Sequence, residues 1–283
     1  MTDNAALPEQ TPGKFFLCEG GTETEVMYKH GFDVPYFAAF ELLKNPRAVS
    51  KLHHMYEQYF SVVSESGLSA LVGGLDYRAS PDWGDKLGYS RQELADTTHQ
   101  CIAFLRQAAL PFANEIDQIL IQGLVGPRGD AYEGSGTMGA DQAQAYHSVQ
   151  LATLKEAEVD LVTAMTFSAV DESIGVARAA KDNGIPLCLS LTLDSSSRLS
   201  SGSSLGEAIA TIDAATENSV EFYMINCVHP LEYEPALADQ PWIKRIRGVR
   251  PNASAMDKMS LCQLGHLEDG DPVELGQQVG SLI

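Results

Sequence analysis

The chain alternates short apolar runs with longer stretches in which apolar residues recur every three or four positions. Seven runs read as strands: Phe15–Cys18, Leu68–Val72, Ile119–Gln122, Leu161–Met165, Leu187–Leu193, Phe222–Ile225 and Ile246–Val249. Several show little polar alternation, as parallel strands covered on both faces do. The helical stretches between them carry their own punctuation. Asn45-Pro46 sets a capping side chain before a proline at the first helical position. Val49, Leu52, Tyr56, Tyr59, Phe60 and Val63 follow at helical spacing, and Gly67 closes the segment. Ser90 with Glu93 forms a capping-box pattern ahead of Leu94, Cys101, Leu105 and Ala108. Asp141 is expected to open a helix whose apolar face includes Ala145, Val149 and Ala152. Asp171 opens another that ends at Gly184, and Ser204 with Glu207 repeats the capping box before Ile209 and Ile212. A short helix is predicted around Pro235–Ala238. Asp271-Pro272 with Glu274 starts a last one, carrying Val279, Leu282 and Ile283.

Strands joined by helical crossovers must pair in parallel, which makes the fold class α/β. An open doubly wound sheet and a closed barrel both satisfy the pattern. The dinucleotide fingerprint GxGxxG is missing after the first strand, where Glu19-Gly20-Gly21-Thr22-Glu23 stands, and long loops follow strands one to three. These features favour a (β/α)8 TIM barrel. The expectation is one barrel domain over residues 1–283, with 1–13 a loose arm. The chain is expected to end within or after the seventh helix, so that the eighth strand–helix unit is absent from it.

Composition narrows the function. Thirty-eight acidic against nineteen basic residues give a formal net charge of −19, which disfavours nucleic acid as a partner. No apolar run approaches the roughly 18 residues of a membrane span, and the first residues lack a signal-peptide pattern, so a cytoplasmic protein is expected. Cysteines stand at 18, 101, 188, 227 and 262, with no CxxC. A disulfide framework is therefore not expected. Cys18 and Cys188 lie in apolar runs and read as core, and Cys101 falls on a helix face. Cys262 has no informative context.

Several loop residues could carry chemistry. Gly20 and Gly21 leave the backbone open to a carboxylate or phosphate, although a tight turn after a strand needs the same residues. Gly126-Pro127-Arg128-Gly129-Asp130 is a rigid bent loop in which Arg128 could meet an anion, and a plain turn explains it as well. Asp76, Tyr77, Arg78 and Ser80 follow strand two and are equally open to both readings. Cys227, in Ile225-Asn226-Cys227-Val228-His229-Pro230, sits at the C-terminal mouth of a strand, where barrel active sites lie. It could be a nucleophile, a metal ligand or an inert thiol. His229 could be its partner or a polar surface residue.

Taken together, these segments resemble the homocysteine S-methyltransferase family along nearly the whole chain. The stretches that carry the resemblance are Glu19–Glu25, Tyr77-Arg-Ala-Ser80, Gly126-Pro-Arg-Gly129 and Thr166. Further on they are Leu199–Leu205 with Gly202, Tyr223-Met-Ile-Asn-Cys-Val-His-Pro230 and Gly248-Val-Arg-Pro-Asn-Ala-Ser254. The Asn-Cys-x-His-Pro string and its order after the Gly-Gly loop are the specific part.

The resemblance implies methyl transfer from a small donor to the thiol of homocysteine or a similar acceptor, giving methionine. Family members use S-methylmethionine, S-adenosylmethionine, betaine or a folate as donor. The family holds zinc with one cysteine after strand six and an adjacent pair after strand eight, and the substrate thiol takes the fourth position. By that resemblance Cys227 matches the first metal ligand and Asn226 its neighbour. Glu19, Gly20, Gly21, Thr22, Asn226 and Asn252 match substrate-binding positions, with Glu19 where the family has aspartate. Two departures stand out. No Gly-Gly-Cys-Cys-Gly counterpart exists, so zinc would need two further cysteines not present in this chain, and Cys262 is too early and isolated to serve. Met165 stands where many members carry a glutamate. The chain as written is expected to bind zinc weakly or not at all. Two other readings remain: a non-catalytic barrel homologue that binds a small amino acid, and a lyase using Glu19 or Glu23 as acid or base. An unpaired sheet edge would favour a homo-oligomer.

Overall fold

The structure is a computed structural model of the chain, and it describes residues 7–9, 11–129, 138–237, 240–256, 260–261 and 264–281. Asp130, Ala238, Cys262, Leu282 and Ile283, named above, lie outside the described residues, as do residues 1–6 and 10 of the N-terminal arm.

Seven strands are described: β1 (Phe16–Cys18), β2 (Ser69–Val72), β3 (Ile119–Val125), β4 (Leu161–Phe167), β5 (Leu187–Leu191), β6 (Phe222–Asn226) and β7 (Ile246–Arg250). Their order in the sheet is the order of the chain, β1-β2-β3-β4-β5-β6-β7. Each lies within three residues, at either end, of the apolar run that predicted it. This is the expected α/β fold class, with parallel strands following one another through helical crossovers, as in a barrel of the (β/α) type. Among the described helices are α1 (Pro46–Glu65), α2 (Pro81–Leu87), α3 (Arg91–Ala109), α4 (Ala140–Glu156), α5 (Val170–Asn183), α6 (Leu205–Thr216), α7 (Pro230–Tyr233) and α8 (Pro272–Gly280).

Contacts group the chain into two compact units. One comprises Met1–Val125, Ser148–Thr163 and Asp182–Pro186, and the other Gly126–His147, Ala164–Lys181 and Leu187–Ile283. In the first, β1 and β2 pair in parallel with Phe16 opposite Ser69 and Cys18 opposite Leu71. β2 and β3 pair in parallel with Ala70 opposite Ile119. Helix α1 starts as its sequence dictates: the Asn45 side chain accepts from the Arg47 amide, and Pro46 follows. Its buried residues Leu52, Tyr56, Phe60 and Val63 form the expected stripe, and Tyr56 meets Phe104 of α3 edge-on at 5.7 Å between ring centres. The α3 capping box is complete, with Ser90 and Glu93 each bonded to the other's backbone.

In the second unit, β5 and β6 pair with Leu189 opposite Tyr223, and β6 pairs with β7. There the register steps: Tyr223 faces Ile246 but Met224 faces Gly248, which leaves Arg247 as an extra residue on β7. Gly248 suits this spot because a Cβ there would stand 3.0 Å from the Met224 side chain. The capping box of Ser204 and Glu207 starts α6 as expected. Asp213 on α6 accepts from both Arg245 Nε and Nη2 at 2.9 Å and from the Tyr223 hydroxyl at 2.9 Å, which ties helix, strand and the turn before β7 together.

Two helix predictions change. The segment expected around Pro235–Ala238 is a short 3-10 turn, Glu234–Ala236, following directly on α7. Helix α4 begins at Ala140, and the face predicted to be buried is the wrong one. Ala145, Val149 and Ala152 are exposed, whereas Ala143, His147, Gln150, Leu151 and Leu154 are buried. The reason is chemical. His147 and Gln150 have buried hydrogen-bond partners, so two polar side chains occupy a face that a purely apolar count assigns to solvent.

Candidate active site

The first unit gathers an acidic, glycine-lined group at the ends of β1 and β2. Glu19 directly follows β1 and is 5% exposed, and its Oε2 accepts the Gly73 amide at 3.0 Å. Gly20 and Gly21 are exposed, and Thr22 opens a short helical stretch. A side chain at Gly21 would stand 2.5 Å from Thr24 Oγ1, and one at Gly74, whose φ is +123°, would stand 2.6 Å from the Tyr56 hydroxyl. The backbone can follow this path only with glycine at Gly74. The Tyr56 hydroxyl in turn donates to the Gly73 carbonyl at 2.6 Å, and burial raises its pKa well above the usual tyrosine value.

Asp76, one of four weakly suggestive residues in the sequence, is the centre of this group. It is fully buried, Oδ2 accepts the Leu124 amide at 3.0 Å, and Oδ1 has no hydrogen-bond partner among the described residues. Gln150 of α4 donates to the carbonyls of Asp76 at 2.8 Å and Leu124 at 3.1 Å. Burial, helped by the charges of Glu19 and Glu23, pushes the Asp76 carboxyl up to about 7. Its neighbour Arg78 lays its guanidinium on the Trp83 ring at 4.3 Å.

The second unit carries Cys227. Strand β6 ends at Asn226, and Cys227 then turns with φ +55°, its amide donating to the Arg250 carbonyl at 3.1 Å. Asn226 is fully buried and donates to Cys227 Sγ at 3.1 Å. Thr166, at the end of β4, also has positive φ, +68°, and is bonded to the same Asn226. Asn252 lies just past β7, half-buried, with its amide on the Val228 carbonyl at 3.2 Å. The Met165 sulfur receives Arg250 Nη1 at 3.0 Å. Thus the structure brings Cys227, Asn226 and Thr166 into contact and sets Asn252 on the loop beside Val228. Glu19, Gly20, Gly21 and Thr22 belong to the first unit.

His229 is neither a partner of Cys227 nor a surface residue. It is 6% exposed and caps α7, with Nδ1 accepting the Leu231 amide and its own amide donating to Glu232. A histidine before proline, followed by Glu at the third helical position, is a capping pattern that could have been read from the sequence. Sequence reasoning also missed the pair His147 and Glu172, 3.0 Å apart and both buried. The same Glu172 oxygen accepts the Arg128 amide at 2.7 Å and so anchors the Gly126–Gly129 loop.

The described residues do not fit a zinc centre with three protein ligands. Among the described residues no three His, Cys, Asp or Glu side chains form a group able to hold a metal ion. Cys101 and Cys188 are buried, and Cys227 meets an amide rather than a second thiol.

Comparisons with known proteins agree with this architecture. The fold is shared with solved structures of the homocysteine methyltransferase MmuM from Escherichia coli. For its metallated form the identity is 20%, the match covers 95% of this chain and 96% of that one, and the TM-score is 0.71. For its oxidized form the values are 21%, 78%, 76% and 0.66, and for its apo form 19%, 87%, 92% and 0.62. No curated protein sequence matches the chain. The family description "Homocysteine S-methyltransferase" matches residues 16–280, and the chain belongs to that family.

Proposed function

We propose that the protein is a thiol methyltransferase, with homocysteine or a similar thiol as acceptor and a small molecule as methyl donor. Family membership over residues 16–280 carries the reading. In such a reaction the thiol gives up its proton and the sulfur lone pair forms the new bond to carbon. The methyl group leaves the donor heteroatom, which keeps the bonding pair. With homocysteine the product is methionine, which would place the protein in methionine biosynthesis.

In this reading the exposed, side-chain-free backbone at Gly20 and Gly21 receives the acceptor's carboxylate, with Thr22 beside it. Glu19 supplies negative charge for the ammonium group, one of its oxygens held still by Gly73. Cys227 presents a sulfur at the end of β6, and Asn252 borders that loop. Zinc, which the family implies, has no step here, because the described residues do not assemble its ligands. That same observation favours a second reading, a non-catalytic homologue that binds a small amino acid.

The test supplies homocysteine with S-methylmethionine, S-adenosylmethionine or betaine in turn, in buffer containing zinc, and follows methionine by mass spectrometry. Methionine is expected with at least one donor, with a rate about 100-fold lower in Cys227→Ser. Absence of turnover with calorimetric binding of homocysteine would establish the second reading. Neither turnover nor binding would end both.

A further inference from the structure

Asn226 matches a substrate-binding position by resemblance, but its surroundings assign it another task. A primary amide can donate two hydrogen bonds and accept two. All four positions are taken by protein. Oδ1 accepts the Thr166 amide at 3.0 Å and the Ser190 hydroxyl at 2.6 Å, and Nδ2 donates to Thr166 Oγ1 at 2.9 Å and to Cys227 Sγ at 3.1 Å. The side chain is fully buried, so no substrate atom can reach it without displacing one of these partners.

Two of the partners are residues that would not hold their shape alone. Thr166 has φ +68° and Cys227 φ +55°. A left-handed backbone costs a non-glycine residue on the order of 1 kcal/mol or more, and a β-branched threonine is an outlier there. Such residues persist when neighbours over-determine them. Asn226 bonds both the amide and the hydroxyl of Thr166, which fixes its backbone and its side-chain rotamer together. The remaining N–H holds the Cys227 sulfur in one direction. Ser190 of β5 keeps the amide from flipping, because only the oxygen can accept its proton.

We propose that Asn226 is a positioning residue, a clamp that holds Thr166 and Cys227 in left-handed conformations and aims the Cys227 sulfur, and that it makes no contact with substrate. The consequence for catalysis rests on the methyl-transfer reading, whereas the clamp itself does not. Asn226→Ala deletes all four bonds. In Asn226→Asp the carboxylate still accepts from Thr166 and Ser190, since a hydroxyl can turn to donate, but nothing remains to donate to sulfur.

Two measurements decide the question. The first is alkylation of each cysteine by iodoacetamide at fixed pH, read by peptide mass mapping. Cys227 labelling is expected to change about fivefold or more in both variants, rising in Asn226→Ala as the sulfur comes loose and falling in Asn226→Asp as a carboxylate replaces the donor beside it, with Ser190→Ala closer to the parent, while buried Cys101 and Cys188 stay protected and so report that the fold is intact. The second is steady-state kinetics. kcat is expected to fall at least about tenfold, with KM for homocysteine within about twofold. Cys227 labelling within twofold of the parent in a folded Asn226→Asp variant would overturn the proposal, as would a rise in KM at unchanged kcat. If the parent protein transfers no methyl group, the function proposed above fails, and the labelling still decides the clamp. If Asn226→Ala exposes Cys101 and Cys188, Asn226→Asp and Ser190→Ala carry the test.

Discussion

Asp76 shows how one residue's surroundings set its chemistry. Its carboxyl is buried near the charges of Glu19 and Glu23, with too few hydrogen bonds, the Leu124 amide among them, to offset the loss of water, and so keeps its proton to about pH 7. The ordinary value, 3.8, applies in the unfolded chain. The folded state therefore binds the extra proton between these values. The stabilisation is complete below about pH 4, declines as pH rises, and is lost once pH passes about 7. Asn at this position keeps an acceptor for Leu124 and removes the titration. The stability difference between Asp76→Asn and the parent is expected to grow by on the order of 1 kcal/mol per pH unit from pH 4 to 7 and then level off. Urea melts at pH 5, 6, 7 and 8 check it, and a difference independent of pH would contradict the protonated form. Nothing in the sequence set Asp76 apart from Tyr77, Arg78 or Ser80. Its state depends on Leu124, 48 positions away, and on Gln150 of α4.

At the scale of elements, α4 and α5 pack closely at Gly175. A Cβ at Gly175 would lie 2.3 Å from the Ala143 side chain and 2.6 Å from the Ala140 carbonyl. These are backbone and short side chains that cannot swing away. Gly175→Ala is expected to cost about 1–3 kcal/mol despite the better helix propensity of alanine, measured by chemical denaturation. A neutral or stabilising outcome would show that the two helices can part at little cost. The elements themselves were largely legible. Strand runs, the cap at Asn45 and the boxes at Ser90 and Ser204 are local patterns, and a local pattern survives into the fold when its own backbone groups satisfy it. The α4 face was misread for the opposite reason. His147 and Gln150 are hidden because Glu172, Asp76 and Leu124 wait for them, and those residues come from other elements.

For the molecule as a whole, family membership and metal chemistry point in different directions. A zinc centre built on cysteines needs its sulfur ligands in contact, and among the described residues Cys227 meets an amide while Cys101 and Cys188 are buried. The 283-residue chain, dialysed against metal-free buffer, is expected to retain less than about 0.1 zinc per chain by atomic emission. One tightly held zinc would show that ligands assemble which the described residues do not bring together.

By itself the sequence determined the parallel α/β class, the seven strands and the caps that start the helices, because apolar periodicity and capping act over a few neighbouring residues. It also determined the family, through Asn226-Cys227 and the Gly20-Gly21 turn. Only the tertiary structure decided what those residues do to one another. Asn226 is a clamp because Thr166 and Ser190 arrive from β4 and β5, and Asp76 holds its proton because burial removes its water. His229 caps a helix rather than partnering a thiol. Each outcome depends on desolvation and on hydrogen-bond partners distant in the chain, which no local pattern encodes.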